Sequence, residues 1–111
     1  TAHPILVNLE CTSCGLSSID VSACDSLRYI HCNENNISSV DLSANLKLRW
    51  ANVSSNNITS IDLSSNLLIE RFACSQGNGK PALSTINIWP EFSKDDMVEW
   101  IVPSGVQYTY L

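Results

Sequence analysis

The residues of this chain that could do chemistry are five cysteines, two histidines and a regular set of aspartates. Cys11 and Cys14 form a C-x-x-C pair, and Cys32 follows Cys11 by 21 positions. A zinc site needs ligands converging tetrahedrally. The spacing brings no fourth ligand to that pair, because neither His3 nor His31 falls where it would complete the set. A redox C-x-x-C opens a helix after a strand, where the helix terminus favours the thiolate, and nothing helical follows Cys14. An odd cysteine count makes a poor disulfide framework. Cys11, Cys32 and Cys74 therefore read as small buried apolar residues.

Asp20, Asp41 and Asp62 form an acidic column with a 21-residue period. Neighbouring carboxylates repel by about 1 kcal/mol when fully solvated, and a calcium ion would relieve that. Calcium-binding repeats, however, are glycine-rich nonapeptides, and this chain has four Gly. Ser18, Ser39 and Ser60, or Ser22, Ser43 and Ser64, stand where their hydroxyls satisfy the carboxylates instead. No metal and no cofactor is expected. Catalysis needs a nucleophile beside a base, or paired carboxylates in one cleft. Here His31, the aspartates and the serines are strung along periodic columns, so a non-catalytic protein is expected.

Those columns come from an internal repeat. Leu16, Ile37 and Ile58 are 21 residues apart, and so are the sets Ile19, Val40, Ile61 and Val21, Leu42, Leu63. The sets Leu27, Leu48, Ile69, then Ile30, Ala51, Phe72, then Cys32, Val53, Cys74 keep the same spacing, and Leu6, Leu9 and Cys11 extend it backwards. Each unit divides into two halves of form L-xx-L-x-C-xx-N, in which the alternating apolar residues carry strand periodicity. The asparagine that closes each half lies where the chain turns and leaves backbone groups facing inward. Its amide can both donate and accept, so Asn35 and Asn56 are expected to form one ladder and Asn45 and Asn66 a second. Cys14 and Cys24 hold the same slots at the first unit, and Gly77 holds one at the last.

The block "LRYIHCNENNISSVDLS" matches, nearly position for position, the pattern LxxLxCxxNxLxxLDLSxNxx. The chain thus resembles the leucine-rich repeat proteins of the short 21-residue nested class, over roughly residues 5–78. The tail is similar to the carboxy-terminal cap of such proteins on secreted and surface proteins of gut-type bacteria, through Leu83, Ile86, Ile88, Trp89, Phe92, Trp100, Pro103, Gly105 and Tyr108. The resemblance implies a β-rich parallel solenoid used as a recognition scaffold, exported to the bacterial surface or the extracellular space.

Such units cannot bury their apolar side alone and must stack. The halves predict about four turns carrying two parallel β-ladders. The first runs through 8–11, 29–32, 50–53 and 71–74, and the second through 18–21, 39–42 and 60–63. Residues 1–78 would be the solenoid and 79–111 its cap, in a single domain. In the cap, Ser93 with Asp95 and Asp96 predicts one short helix. Met97 and Trp100 would lie on one face of it, Pro103 would end it, and "VQYTYL" would follow as a closing edge strand. The extra residues "GNGKPA" leave open which ladder 83–88 continues.

The bulk properties are compatible with this. One domain of 111 residues with 44% hydrophobic and 15% charged residues is ordinary for a folded, soluble chain. A net charge of −5 argues against nucleic acid, and no run approaches the ~18 apolar residues of a membrane span. No charged-then-apolar leader stands at Thr1, so a signal segment is not expected within the chain. The N-x-S/T triplets at Asn36, Asn52 and Asn57 read as turn chemistry. Thr1–Leu6 aligns with Ser22–Leu27, so the first unit starts in mid-repeat, and its apolar edge is expected to be covered by upstream residues or by a second copy.

Between the inward columns of the first ladder run two free ones: Asn8, Tyr29, Trp50, Arg71 and Glu10, His31, Asn52, Ala73. Packing fixes the inward residues and leaves these unconstrained. An outward Trp beside Tyr and Arg is interface composition. Tyr29, Trp50 and Arg71, flanked by His31 and Asn52, are the expected ligand-facing residues, with a protein partner. A glycan stacked on the aromatic faces is the alternative, and an architectural spacer that binds nothing is the third.

Overall fold

The computed structural model describes residues 6–111, so His3 and the register of 1–5 lie outside the described residues. Eight short strands follow in order: β1 (Asn8–Glu10), β2 (Tyr29–His31), β3 (Trp50–Asn52), β4 (Ser60–Asp62), β5 (Arg71–Ala73), β6 (Thr85–Ile88), β7 (Glu99–Ile101) and β8 (Gln107–Tyr110). They make a five-stranded parallel sheet, β1-β2-β3-β5-β7, and a three-stranded parallel sheet, β4-β6-β8. The protein is a β-rich parallel solenoid of about five turns with almost no helix.

The 21-residue register is kept strand to strand. Asn8 pairs with Tyr29, Tyr29 with Trp50, and Trp50 with Arg71. At each strand centre the apolar residue faces inward, and Ile30, Ala51 and Phe72 are fully buried. Leu27, Leu48, Cys32, Val53, Leu42 and Leu63 complete the core. Both asparagine ladders are present, with Asn35, Asn45, Asn56 and Asn66 buried. The Asn35 amide nitrogen donates to the Cys11 and Cys32 carbonyls, and its oxygen accepts from the Cys14 and Leu16 N–H groups. Each such amide thus stitches its own turn to the preceding one. Gly77 takes the slot where the first ladder ends, and there only glycine fits. An added Cβ would lie 2.8 Å from the Ser55 Cα.

Four features differ from the sequence expectation. The segments 18–21 and 39–42 form no strand. There Asp20 and Asp41 accept from the N–H and hydroxyl of Ser22 and Ser43, and tight turns follow at Val21–Cys24 and Leu42–Asn45. The same bonds form at Asp62 within β4, so they are compatible with a strand; β4 differs in having β6 as its ladder partner. The second ladder begins only at β4, where the extended run Thr85–Ile88 arrives beside Ile61 and settles which ladder residues 83–88 continue. In the cap, Ser93 does act as N-cap, but it opens a single 3₁₀ turn, Lys94–Asp96. Trp100 lies not on a helix face but on β7, whose pairing with β5 adds a fifth strand beyond the four expected turns. The final strand, β8, joins the second sheet beside β6. Cys14, expected inward, is exposed. Its thiol is bonded at most to its own turn, at the Thr12 carbonyl, 3.5 Å away.

The residues after Gly77 loop back over the stack. Lys80 places its ammonium 2.7 Å from the Asn35 carbonyl and 2.9 Å from the Asn36 amide oxygen. At the opposite end, β1 pairs on one side only among the described residues, and Leu6, Leu9, Leu16 and Ile19 line an apolar concavity of about 510 Å³. No helix among the described residues is long and apolar enough to cross a membrane.

The cysteines divide by environment. Burial, with Cys11 and Cys74 adding like charge, pushes the Cys32 thiol up to about 12, and burial alone pushes Cys74 to about 11. The folded protein therefore keeps protons that the unfolded chain loses above its ordinary value of 9.0, so these two thiols cost stability as pH rises from there towards 12. At pH 8 an alkylating reagent is expected to modify Cys14 rapidly and to leave Cys32 and Cys74 untouched until the protein unfolds. Peptide mass mapping after a short pulse checks this, and modification of Cys32 at the rate of Cys14 would contradict the packing.

Candidate functional site

Because strand side chains alternate, the residues on either side of Ile30 and Ala51, and Arg71 before Phe72, stand on the outer face of the first sheet, while Ala73 after Phe72 is buried. Trp50 is at the middle of this face. Tyr29 on β2 meets it edge-on, with ring centroids 6.4 Å apart at 84°. His31, at the other end of β2, packs closer, at 4.4 Å and 66°. From β5 the Arg71 guanidinium carbon sits 5.1 Å from the Trp50 ring centroid, within cation–π range. One indole thus gathers a phenol and an imidazole from the turn before it and a guanidinium from the turn after it.

Four of the five expected residues, Tyr29, Trp50, Arg71 and His31, come together in this cluster. Asn52 pairs with His31 in the ladder register. Its side-chain oxygen, however, accepts from the Ser54 N–H of its own turn at 3.2 Å, so the amide serves the turn. Trp50 Nε1 and His31 Nε2 are both buried without a hydrogen-bond partner. Buried polar atoms are almost always paired, so the cluster holds two unmet polar groups at its centre.

Two clefts flank the Trp50 ring. One, of about 300 Å³, is lined by Tyr29, Arg49, Trp50, Glu70 and Arg71. The other, of about 230 Å³, is lined by Asn8, Glu10, Tyr29, His31 and Trp50. Arg49 and Glu70 are site residues that the sequence reading missed. They form an ion pair at 3.4 Å, half-exposed on both sides, a geometry worth about 0–1 kcal/mol. The signal was available in the periodic column Arg28, Arg49, Glu70, one residue ahead of each strand.

The aspartate column is engaged locally. Asp20, Asp41 and Asp62 each accept from the hydroxyl of the serine two residues on, at 2.6–2.7 Å, and from its N–H at 2.9–3.0 Å. The hydroxyl first, then the N–H, holds the Asp20 and Asp41 carboxyls below the ordinary carboxylate value. Among the described residues no three of His, Cys, Asp and Glu are grouped so as to hold a metal ion.

No protein-family model, no curated protein and no solved structure matches this chain.

Proposed function

We propose that this protein is a recognition module of the leucine-rich repeat type that binds a protein partner through Tyr29, Trp50 and Arg71, with His31 at their side and Asn52 at the margin. The observation that carries the proposal is the contrast between columns of one sheet. Inward positions repeat the same residue types every 21 residues, whereas the outward ones change from Asn to Tyr to Trp to Arg and yet pack around a single indole. Residues that folding leaves free but that still converge are the kind that partner binding employs, and Trp, Tyr and Arg are the types that dominate interface energetics. The exported, bacterial-surface setting belongs to the same proposal and rests on the motif resemblance; a non-catalytic role belongs to it too and rests on the periodic scattering of His31, the aspartates and the serines. The glycan reading draws on the same exposed aromatic surface.

The test is the combined replacement of Tyr29, Trp50 and Arg71 by Ser, with native and variant chains applied to arrays of purified proteins and of glycans. The expected result is protein binding by the native chain, lost in the variant, with an unchanged melting temperature. Glycan binding lost in the same way would replace the protein reading with the carbohydrate one. Binding that survives the triple replacement would overturn the site.

A further inference from the structure

Resting on that site, we propose that the cleft on the β1 side of Trp50 seats a cationic side chain, a lysine or arginine presented by the partner protein. Register sets the arrangement. Tyr29, Trp50 and Arg71 are consecutive rungs, so Arg71 approaches the indole from the β5 side, and the β2 side opens onto the cleft lined by Asn8, Glu10, Tyr29, His31 and Trp50. The chain's own Arg71 demonstrates that this indole accepts a guanidinium at 5.1 Å.

On the opposite side the aromatic and acidic groups that hold a cation stand together. Tyr29 and Trp50 stand nearly perpendicular, which gives two aromatic walls at a right angle. Aromatic walls attract a cation through the ring quadrupole, and the attraction grows as water is displaced. Glu10 supplies the compensating charge. It is exposed, and among the described residues its carboxylate accepts one long 3.4 Å contact donated by the Asn8 amide, which orients it without neutralising it. The ion pair of this face among the described residues is Arg49–Glu70, on the far side of Trp50, so no cation of the described residues is paired with Glu10.

The volume agrees as well. About 230 Å³ admits an ammonium or guanidinium head with part of its stem, but not a second protein element. The net charge of −5 favours encounter with a basic surface. An acidic ligand would meet Glu10 unpaired, so the same geometry selects against it.

The experiment follows the Tyr29 and Trp50 ring resonances by NMR in the intact chain. It is titrated with Nα-acetyl-lysine methylamide and, separately, with the uncharged Nα-acetyl-norleucine methylamide. The lysine compound is expected to shift both rings saturably and to bind at least about tenfold more tightly than norleucine. Glu10→Gln, on the exposed edge strand, is expected to weaken the lysine compound about 3- to 10-fold without altering the norleucine response. Equal binding of the two compounds, no binding of either, or an unchanged affinity in Glu10→Gln would each overturn the cation seat. The array experiment fails separately: protein binding abolished by the triple replacement, alongside equal lysine and norleucine affinities, would sink this inference and leave the proposed function standing.

Discussion

Phe72→Ala is expected to lower stability by about 3–5 kcal/mol, the range for deletion of a buried aromatic ring. Three features place it there. Phe72 is fully buried at the centre of β5. Its neighbour on one side, Ala51, is already the smallest residue of the column, so nothing on β3 can relax into the space. On the other side it packs at 5.1 Å against Trp100, which in turn packs tilted at 4.8 Å against Phe92. Trp100 is further pinned by the bond its indole N–H donates to the Tyr108 hydroxyl at 3.0 Å. The cavity would therefore stay open, and its cost grows with its residual volume. Urea unfolding should show a markedly lower midpoint with little change in slope. Phe72→Leu, which keeps most of the volume, should cost much less. Near-equal midpoints for the two variants would show that the junction between repeats and cap collapses after all.

The second large effect is expected within the asparagine ladder. Asn56→Ala removes an amide that donates to the Cys32, Val53 and Ser54 carbonyls and accepts from the Ile37 N–H. Those backbone groups belong to two turns, and all but the part-buried Ser54 carbonyl are in buried bonds. The expected loss is about 1–3 kcal/mol, the cost of stranding buried polar atoms. Asn57 is adjacent in sequence but only half-buried, and its side chain makes no hydrogen bond. Asn57→Ala should cost under about 0.5 kcal/mol. Thermal unfolding of the two variants side by side is the check, and equal destabilisation would refute the inward and outward assignment of the turn.

How much of this was legible in the sequence depends on whether a residue's role repeats. Ile30, Cys32 and Asn35 recur every 21 positions with the same chemistry, so the strands, their register and both asparagine ladders could be read directly. Trp100 could not. It belongs to the same inward column as Ile30 and Phe72 but follows Phe72 by 28 residues, with Pro81, Pro90 and a 3₁₀ turn between them. Local capping chemistry at Ser93 was visible, but the pairing of Glu99–Ile101 with Arg71–Ala73 is non-local and leaves no short-range mark. The second ladder failed for a related reason. Alternation in "SSID" and "SSVD" is real, yet only "TSID" gains a ladder partner, Thr85–Ile88, and that pairing is non-local. At the candidate site, the column of Tyr29, Trp50 and Arg71 was legible because it varied where its neighbours held. The charge pair Arg49–Glu70 was passed over because it lies one residue outside the strands.

Lys80 gives the stack a property that repetition alone would not. In a purely one-dimensional array each turn feels only its two neighbours, so disorder can spread from an end one unit at a time. The Lys80 ammonium reaches back 45 positions to the Asn35 carbonyl, across the intervening turn that ends at Asn56. That contact links two non-adjacent units across the one between them. It opposes independent loosening of the stretch from Asn35 to Lys80. Trp50 and Arg71 lie inside that stretch, whereas Tyr29 and His31 stand one strand ahead of it, so the proposed surface straddles the boundary between the clamped units and the turn before them.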